Sequence, residues 1–126
     1  MTSPLIPVSP GELLDKIAIL EIKAERLRAR EAVANVEREL ALLRAAAGPL
    51  PPEAAPLRSA LLAVNLRLWR IEDDIRAKEA AGDFDAGFIA LARAVYREND
   101  ERGRIKQALN RLLRSELVEE KQYSAY

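Results

Sequence analysis

The residues best suited to chemistry form a polar row in the second half of the chain. They recur every three or four positions, which places them on one face of a helix. The row consists of Tyr96, Asn99, Gly103, Lys106 and Asn110. Asn and Gly each cost roughly 0.5–1 kcal/mol relative to Ala inside a helix, so their grouping on one face indicates a purpose. Phenol, amide and ammonium groups in one row can bind a polar metabolite.

Two other segments carry polar faces with the same spacing. One carries Asn65, Trp69, Glu72 and Arg76, and the other carries Glu12, Lys16 and Lys23. If the three faces converge, they form a cleft with aromatic walls and charged groups inside. The alternative is three solvated faces, on which Glu12–Lys16 and Glu72–Arg76 are ordinary surface ion pairs. The cleft hypothesis predicts a ligand-binding site. Its members are Lys16, Asn65, Trp69, Glu72, Arg76, Tyr96, Asn99, Asp100 and Lys106.

Chemistry that needs Cys or His is excluded because the chain contains neither residue. The absence removes thiolate nucleophiles, imidazole bases and the commonest transition-metal ligands. Carboxylate pairs such as Glu12 and Asp15 are present, and magnesium-dependent helical pyrophosphatases use such pairs, but Glu-rich helices also produce them by chance. We therefore predict no metal and no cofactor, and we assign no catalytic residue. The sequence favours a non-enzymatic protein without excluding an enzyme.

Three polar residues interrupt the apolar rows of the predicted helices, namely Arg26, Glu98 and Arg102. A fourth polar residue, Asn65, lies on the polar face of the second helix. If the first and third helices run parallel and the second antiparallel, all four lie near one level and form a central polar layer. One interpretation is a buried contact that fixes the register of the helices. The others are a small anion or sugar site lined by guanidinium groups, and simple exposure to solvent.

Three long helices must position these residues. The first spans about residues 10–47, starting at the Ser9 cap with Glu12 completing a capping box. A linker at 48–56, rich in Pro and Gly, leads to the second helix at about 57–81. The third spans about 84–114, with Asp83 or Asp85 as its cap, and a short C-terminal tail follows at 115–126. The prediction is an all-α fold: one domain, residues 1–126, forming an antiparallel three-helix bundle of long, coiled-coil-like helices.

The amino-acid composition limits the classes of binding partner that we expect. Half of the residues (49%) are apolar and 32% are charged, with 20 basic and 20 acidic side chains interleaved along the chain. That balance predicts a folded helical protein that binds neither nucleic acid nor a membrane. The first ten residues lack the basic start and apolar run of a signal peptide, which predicts a cytoplasmic protein. The first helix is longer than the second and leaves apolar surface uncovered, so we expect a homodimer or another protein partner.

A resemblance to a known family rests on four segments. They are SPGELLDKIAILEIKAERL, VNLRLWRIEDDIRAKE, FDAGFIALARAVYRENDERGRIKQALN and SELVEEKQY. Together they resemble a family of short bacterial proteins described only as a domain of unknown function. The resemblance covers nearly the whole chain and implies a bacterial, stand-alone helical domain. Relatives that occur near genes for cell-surface sugar assembly imply a link to glycan metabolism. The resemblance implies no catalytic residues.

Two functions are compatible with the sequence. The favoured one is a non-enzymatic interaction or accessory module, which should expose an apolar patch and leave its polar rows in solvent. The alternative is a protein that binds an anionic metabolite, nucleotide or sugar derivative, or an enzyme that works without His and Cys. A protein of that kind should gather its polar rows around a cavity and shift the ionisation of the groups there.

Overall fold

The computed structural model describes residues 2–126, and that range folds into four α-helices without a β-strand. The helices are α1 (Pro10–Arg26), α2 (Arg30–Ala47), α3 (Ala55–Ala81) and α4 (Ala86–Leu112), with a 3₁₀ turn at Pro52–Ala54 between α2 and α3. The predicted all-α class is confirmed. The predicted count of three helices is wrong, because the first predicted helix is divided in two.

Two of the helix starts are fixed by the caps that the sequence offers. The Ser9 hydroxyl accepts a hydrogen bond from the Glu12 backbone N–H at 3.2 Å, and Pro10 occupies the first position of α1. The Asp85 carboxylate accepts from the Phe88 backbone N–H at 3.0 Å, so Asp85 rather than Asp83 caps α4. Both contacts satisfy N–H groups that a helix start leaves without an intrahelical partner.

The break between α1 and α2 lies at residues 27–29, a stretch without Gly or Pro. Leu27 and Ala29 adopt extended backbone angles (ψ 143° and 123°), which ends one helix and starts the next. The chain then folds back, and Arg44 of α2 reaches Glu21 of α1 at 3.5 Å. Local helix propensity is overridden here because the hairpin lets apolar residues from both halves pack together. A single helix over 10–47 could not make those contacts.

The core lies where α1 packs against all three other helices. The start of α1 contacts the end of α4, Gly11 with Asn110 and Asp15 with Arg102, so the two helices run in opposite directions where they meet. We expected a parallel arrangement of these segments, and that expectation is wrong because the break at 27–29 reverses the chain. The buried apolar residues of this core are Leu14, Ile17, Ala18, Leu20, Leu40, Ala54, Leu61, Val64, Ile105 and Leu109.

The far part of the α3–α4 pair has no such cover. We call residues 66–100 the distal hairpin. α3 and α4 run antiparallel there, with Arg67 bonded to Glu98 near its base and Lys78 bonded to Asp85 near its tip. No residue of the distal hairpin is buried, although its apolar rows continue those of the core. Among the helices that the structure describes, none is long and apolar enough to cross a membrane.

Candidate functional site

A fully buried carboxylate joins three helices at the edge of the core. The Asp15 side chain of α1 has 0% of its surface exposed. It accepts a hydrogen bond from the Asn65 amide of α3 at 2.9 Å and from the Arg102 Nε of α4 at 2.9 Å. The Arg102 Nη2 also donates to the second Asp15 oxygen, which makes the pair bidentate. Hydrogen bonding to Asp15 raises the pKa of Arg102 although the guanidinium is partly buried.

The first turn of α1 approaches α4 closely at Gly11. The Gly11 N–H donates a hydrogen bond to the Asn110 side-chain oxygen at 2.7 Å. A Cβ atom at Gly11 would lie 2.6 Å from the Lys106 carbonyl oxygen, a distance that only glycine avoids. The start of α1 is therefore held on α4 by contacts of Gly11, Glu12 and Asp15.

Lys106 carries the second ionic contact of this region. Its ammonium group is almost buried and lies 2.7 Å from a Glu12 carboxylate oxygen and 3.1 Å from Glu119. Burial lowers the pKa of Lys106, but the hydrogen bonds to Glu12 and Glu119 outweigh burial and leave the pKa raised. Because Glu119 belongs to the tail (residues 115–126), this contact fastens the tail to α4.

The tail then runs along α4 and borders a half-open cavity of about 570 Å³. α4 supplies one wall, with Val95, Tyr96, Asn99, Asp100, Arg102 and Lys106. The tail supplies the other wall, with Lys121, Tyr123, Ser124 and Tyr126. The lining therefore combines three aromatic rings, an amide, a hydroxyl, one carboxylate and three cationic groups.

Two contacts hold the end of the tail against α4 beside this cavity. The Tyr126 hydroxyl donates a hydrogen bond to the Asp100 carboxylate, and this bond raises the pKa of Tyr126. The Tyr126 and Tyr96 rings meet edge to face, with their centroids 4.9 Å apart. At Gly103, the missing side chain leaves room for Lys121, whose Nζ lies 3.3 Å from the position of a Cβ atom.

Four of the nine residues predicted to bind a ligand line the cavity together. They are Tyr96, Asn99, Asp100 and Lys106. Asn65 is buried and does not line the cavity, but it donates a hydrogen bond to Asp15, which also binds the lining residue Arg102. Glu72 and Arg76 form an exposed ion pair on α3 at 2.8 Å, as the solvated alternative predicts. Trp69 is half-buried and Lys16 is exposed, and neither lines the cavity. The three faces do not converge, because the tail takes the place expected for α1 and α3.

The predicted central polar layer also needs correction. Of its four members, only Asn65 and Arg102 come together, and the group that joins them is Asp15. Arg26 is exposed at the last turn of α1, where the helix breaks. Glu98 bonds to Arg67 on the outside of the distal hairpin. The expectation that the four residues lie at one height along the bundle was wrong because it assumed one continuous first helix.

Sequence reasoning missed Asp15 as a buried residue. Its signal is the row Gly11, Leu14, Asp15, Ala18 and Ile22, which has helical spacing and is buried throughout. The tail residues Glu119, Lys121, Tyr123 and Tyr126 were missed as well, because their irregular backbone has no periodicity to read. For metals, residues 2–126 hold no group of three or more carboxylates placed to bind an ion.

The fold and the cavity define an all-helical chain whose tail is fastened to its last helix by an ion pair and a tyrosine hydrogen bond. The chain belongs to a family of unknown function, DUF6165, whose family model matches residues 5–126. This match confirms the resemblance predicted from the four sequence segments. No curated protein and no solved structure matches the chain.

Proposed function

We propose that the chain binds a small anionic metabolite that contains a ring, such as a sugar phosphate or a nucleotide, in the cavity between α4 and the tail. The observation that carries this proposal is a half-open cavity of about 570 Å³ between the polar row of α4 and the tyrosines of the tail. Ligand sites in proteins commonly measure about 300–1,000 Å³, so the cavity suits a molecule of that class.

The lining offers a partner for each part of such a ligand. The rings of Tyr96 and Tyr126 can pack against a sugar or base, because aromatic faces bind apolar ring surfaces. Asn99 and Asp100 can hydrogen-bond hydroxyl groups. Lys121 suits the anionic group, since its only ion pair among residues 2–126 is a loose one with Glu119 at 3.7 Å. Arg102 and Lys106 are already neutralised by closer carboxylate partners and contribute less to binding an anion.

Binding without catalysis is the role that this chemistry supports. The chain has no His or Cys to act as base or nucleophile near neutral pH. The raised pKa values of Arg102 and Lys106 keep both groups charged, so neither is suited to proton transfer at neutral pH. The interaction or accessory module favoured on sequence stays a prediction. The link to glycan metabolism implied by the family resemblance is a reason to test sugar derivatives first.

The test is thermal unfolding against a panel of hexose phosphates, nucleotides and nucleotide sugars, followed by titration calorimetry. A ligand at a hundred times its dissociation constant adds about 2.7 kcal/mol of stability. For a domain of this size that corresponds to a rise in Tm of about 10 °C. A panel without any shift would contradict the proposal.

Matched variants assign the binding to the cavity. Asn99→Ala and Tyr96→Leu should each weaken binding at least tenfold, because each removes a lining group. The control is Asn35→Ala, since Asn35 is an exposed asparagine on α2 that contacts only Arg38 by its side chain among the described residues. Binding that survives Asn99→Ala and Tyr96→Leu unchanged would place the ligand elsewhere.

A further inference from the structure

The chain exposes more surface than a compact protein of its mass. Its accessible surface is 8980 Å² for 14.0 kDa. The scaling of folded monomers predicts about 6,700 Å² for that mass, so the excess is about 2,300 Å² per chain. Obligate homodimers bury about 2,000–5,000 Å² in total, or about half of that per partner. The excess is therefore large enough to supply a stable dimer interface.

Part of the uncovered apolar surface lies on the distal hairpin, and the rest lies on the N-terminal segment, on α2, at the end of α4 and on the tail. Near the core, Leu61, Val64 and Leu109 of the α3–α4 pair are almost fully buried because α1 covers them. Farther out, residues of the same type and spacing are only half-buried. They are Leu68, Ile71, Ile75, Phe88, Leu91 and Val95. Toward the tip, Phe84 is 58% exposed and Ile89 is 56% exposed.

We propose that a second copy of this chain packs along the distal hairpin, so that two hairpins form a four-helix bundle around a two-fold axis. This arrangement continues the packing of the core, since each hairpin presents the seam of apolar residues that such bundles bury. It does not depend on the ligand proposed above, because the interface centres on residues 71–91 and shares only Val95 with the lining of the cavity.

The first measurement is the mass of the full chain in solution by light scattering and sedimentation equilibrium. The proposal expects twice the chain mass of 14.0 kDa at micromolar concentration. Ile89→Glu and Phe84→Glu should each raise the dimer dissociation constant at least a hundredfold, because an unpaired carboxylate would be buried in the contact. Both side chains are mostly exposed in the single chain, so the variants should keep its fold, which circular dichroism checks.

Leu42→Glu on α2 is the matched control, since Leu42 is 64% exposed and lies outside the distal hairpin. It should leave the dimer intact. A chain that stays monomeric over the whole concentration range would overturn the proposal. So would a dimer that dissociates with Leu42→Glu and not with Ile89→Glu, because the interface would then lie on α2.

Discussion

Replacing Asp15 by alanine removes a carboxylate that links α1 to both α3 and α4 by hydrogen bonds. Three hydrogen bonds are lost, one to Asn65 and two to Arg102. Removing one partner of a buried ion pair typically costs about 3–5 kcal/mol. Asn65 retains its bond to the Leu61 carbonyl at 3.1 Å, and Arg102 is 28% exposed and can be partly rehydrated. We therefore expect Asp15→Ala to lower the free energy of unfolding by about 3–4 kcal/mol.

Removing Arg102, the other member of the pair, should lower the free energy of unfolding further than removing Asp15. Arg102→Met leaves the Asp15 carboxylate, which water cannot reach, with only Asn65 as a donor. The expected loss is about 4–5 kcal/mol. The double variant Asp15→Leu/Arg102→Met replaces the pair by apolar groups and should cost less than either single change, because no charge is left buried alone.

Urea denaturation followed by circular dichroism at one fixed protein concentration measures these values. Glu72→Gln is the control, since the Glu72–Arg76 pair is exposed and its loss should change stability by less than about 0.5 kcal/mol. A loss below about 1 kcal/mol for Asp15→Ala would refute the argument that this carboxylate fastens α1. A double variant that loses more stability than either single variant would contradict the argument that the cost comes from leaving one charge buried alone.

Two further predictions concern close packing and the tail. Gly11→Ala should lower the free energy of unfolding by about 2–3 kcal/mol, because the added Cβ would lie 2.6 Å from the Lys106 carbonyl oxygen. Gly103→Ala should be neutral or stabilising by up to about 1 kcal/mol, since only the movable Lys121 side chain is near. Equal effects of the two variants in urea denaturation would contradict the close packing of α1 on α4 at Gly11. The raised pKa of Tyr126 means that its bond to Asp100 is intact below pH 10.0 and is lost as pH rises through the higher folded pKa. A spectroscopic titration of tyrosinate should show one tyrosine ionising late, and Asp100→Asn should return it to the ordinary range; an unchanged curve would contradict that contact.

The helix class was predictable because periodicity and caps act locally. Ser9 and Asp85 stand at helix starts with a side chain that can accept from the first turn, and both do so. The break at 27–29 was not predictable from local signals, because Leu27, Arg28 and Ala29 all tolerate helix. The chain reverses there because packing α1 against α2 stabilises the folded state, and this packing is a tertiary effect that local sequence does not show.

The candidate site was half predictable for a related reason. Tyr96, Asn99 and Lys106 share one face of one helix, so their spacing alone brings them together. Which element faces them depends on the path of residues 115–126, which have no repeating pattern. The role of Asp15 was hidden because an aspartate next to Glu12 and Lys16 reads as surface, and only its buried neighbours along the helix indicate otherwise.

The contact between Gly11 and Asn110 spans 99 positions of sequence, and the Asp15–Arg102 pair spans 87. A ribosome that synthesises this chain therefore exposes α1 and α2 long before α4 exists. The α1–α2 hairpin can form early from contacts close in sequence, but Asp15 stays hydrated until α4 leaves the exit tunnel. The final docking of α1 on α4 is thus a late event of biosynthesis. In that step the Asp15 carboxylate loses its water, and the Arg102 guanidinium takes the place of the water as hydrogen-bond donor.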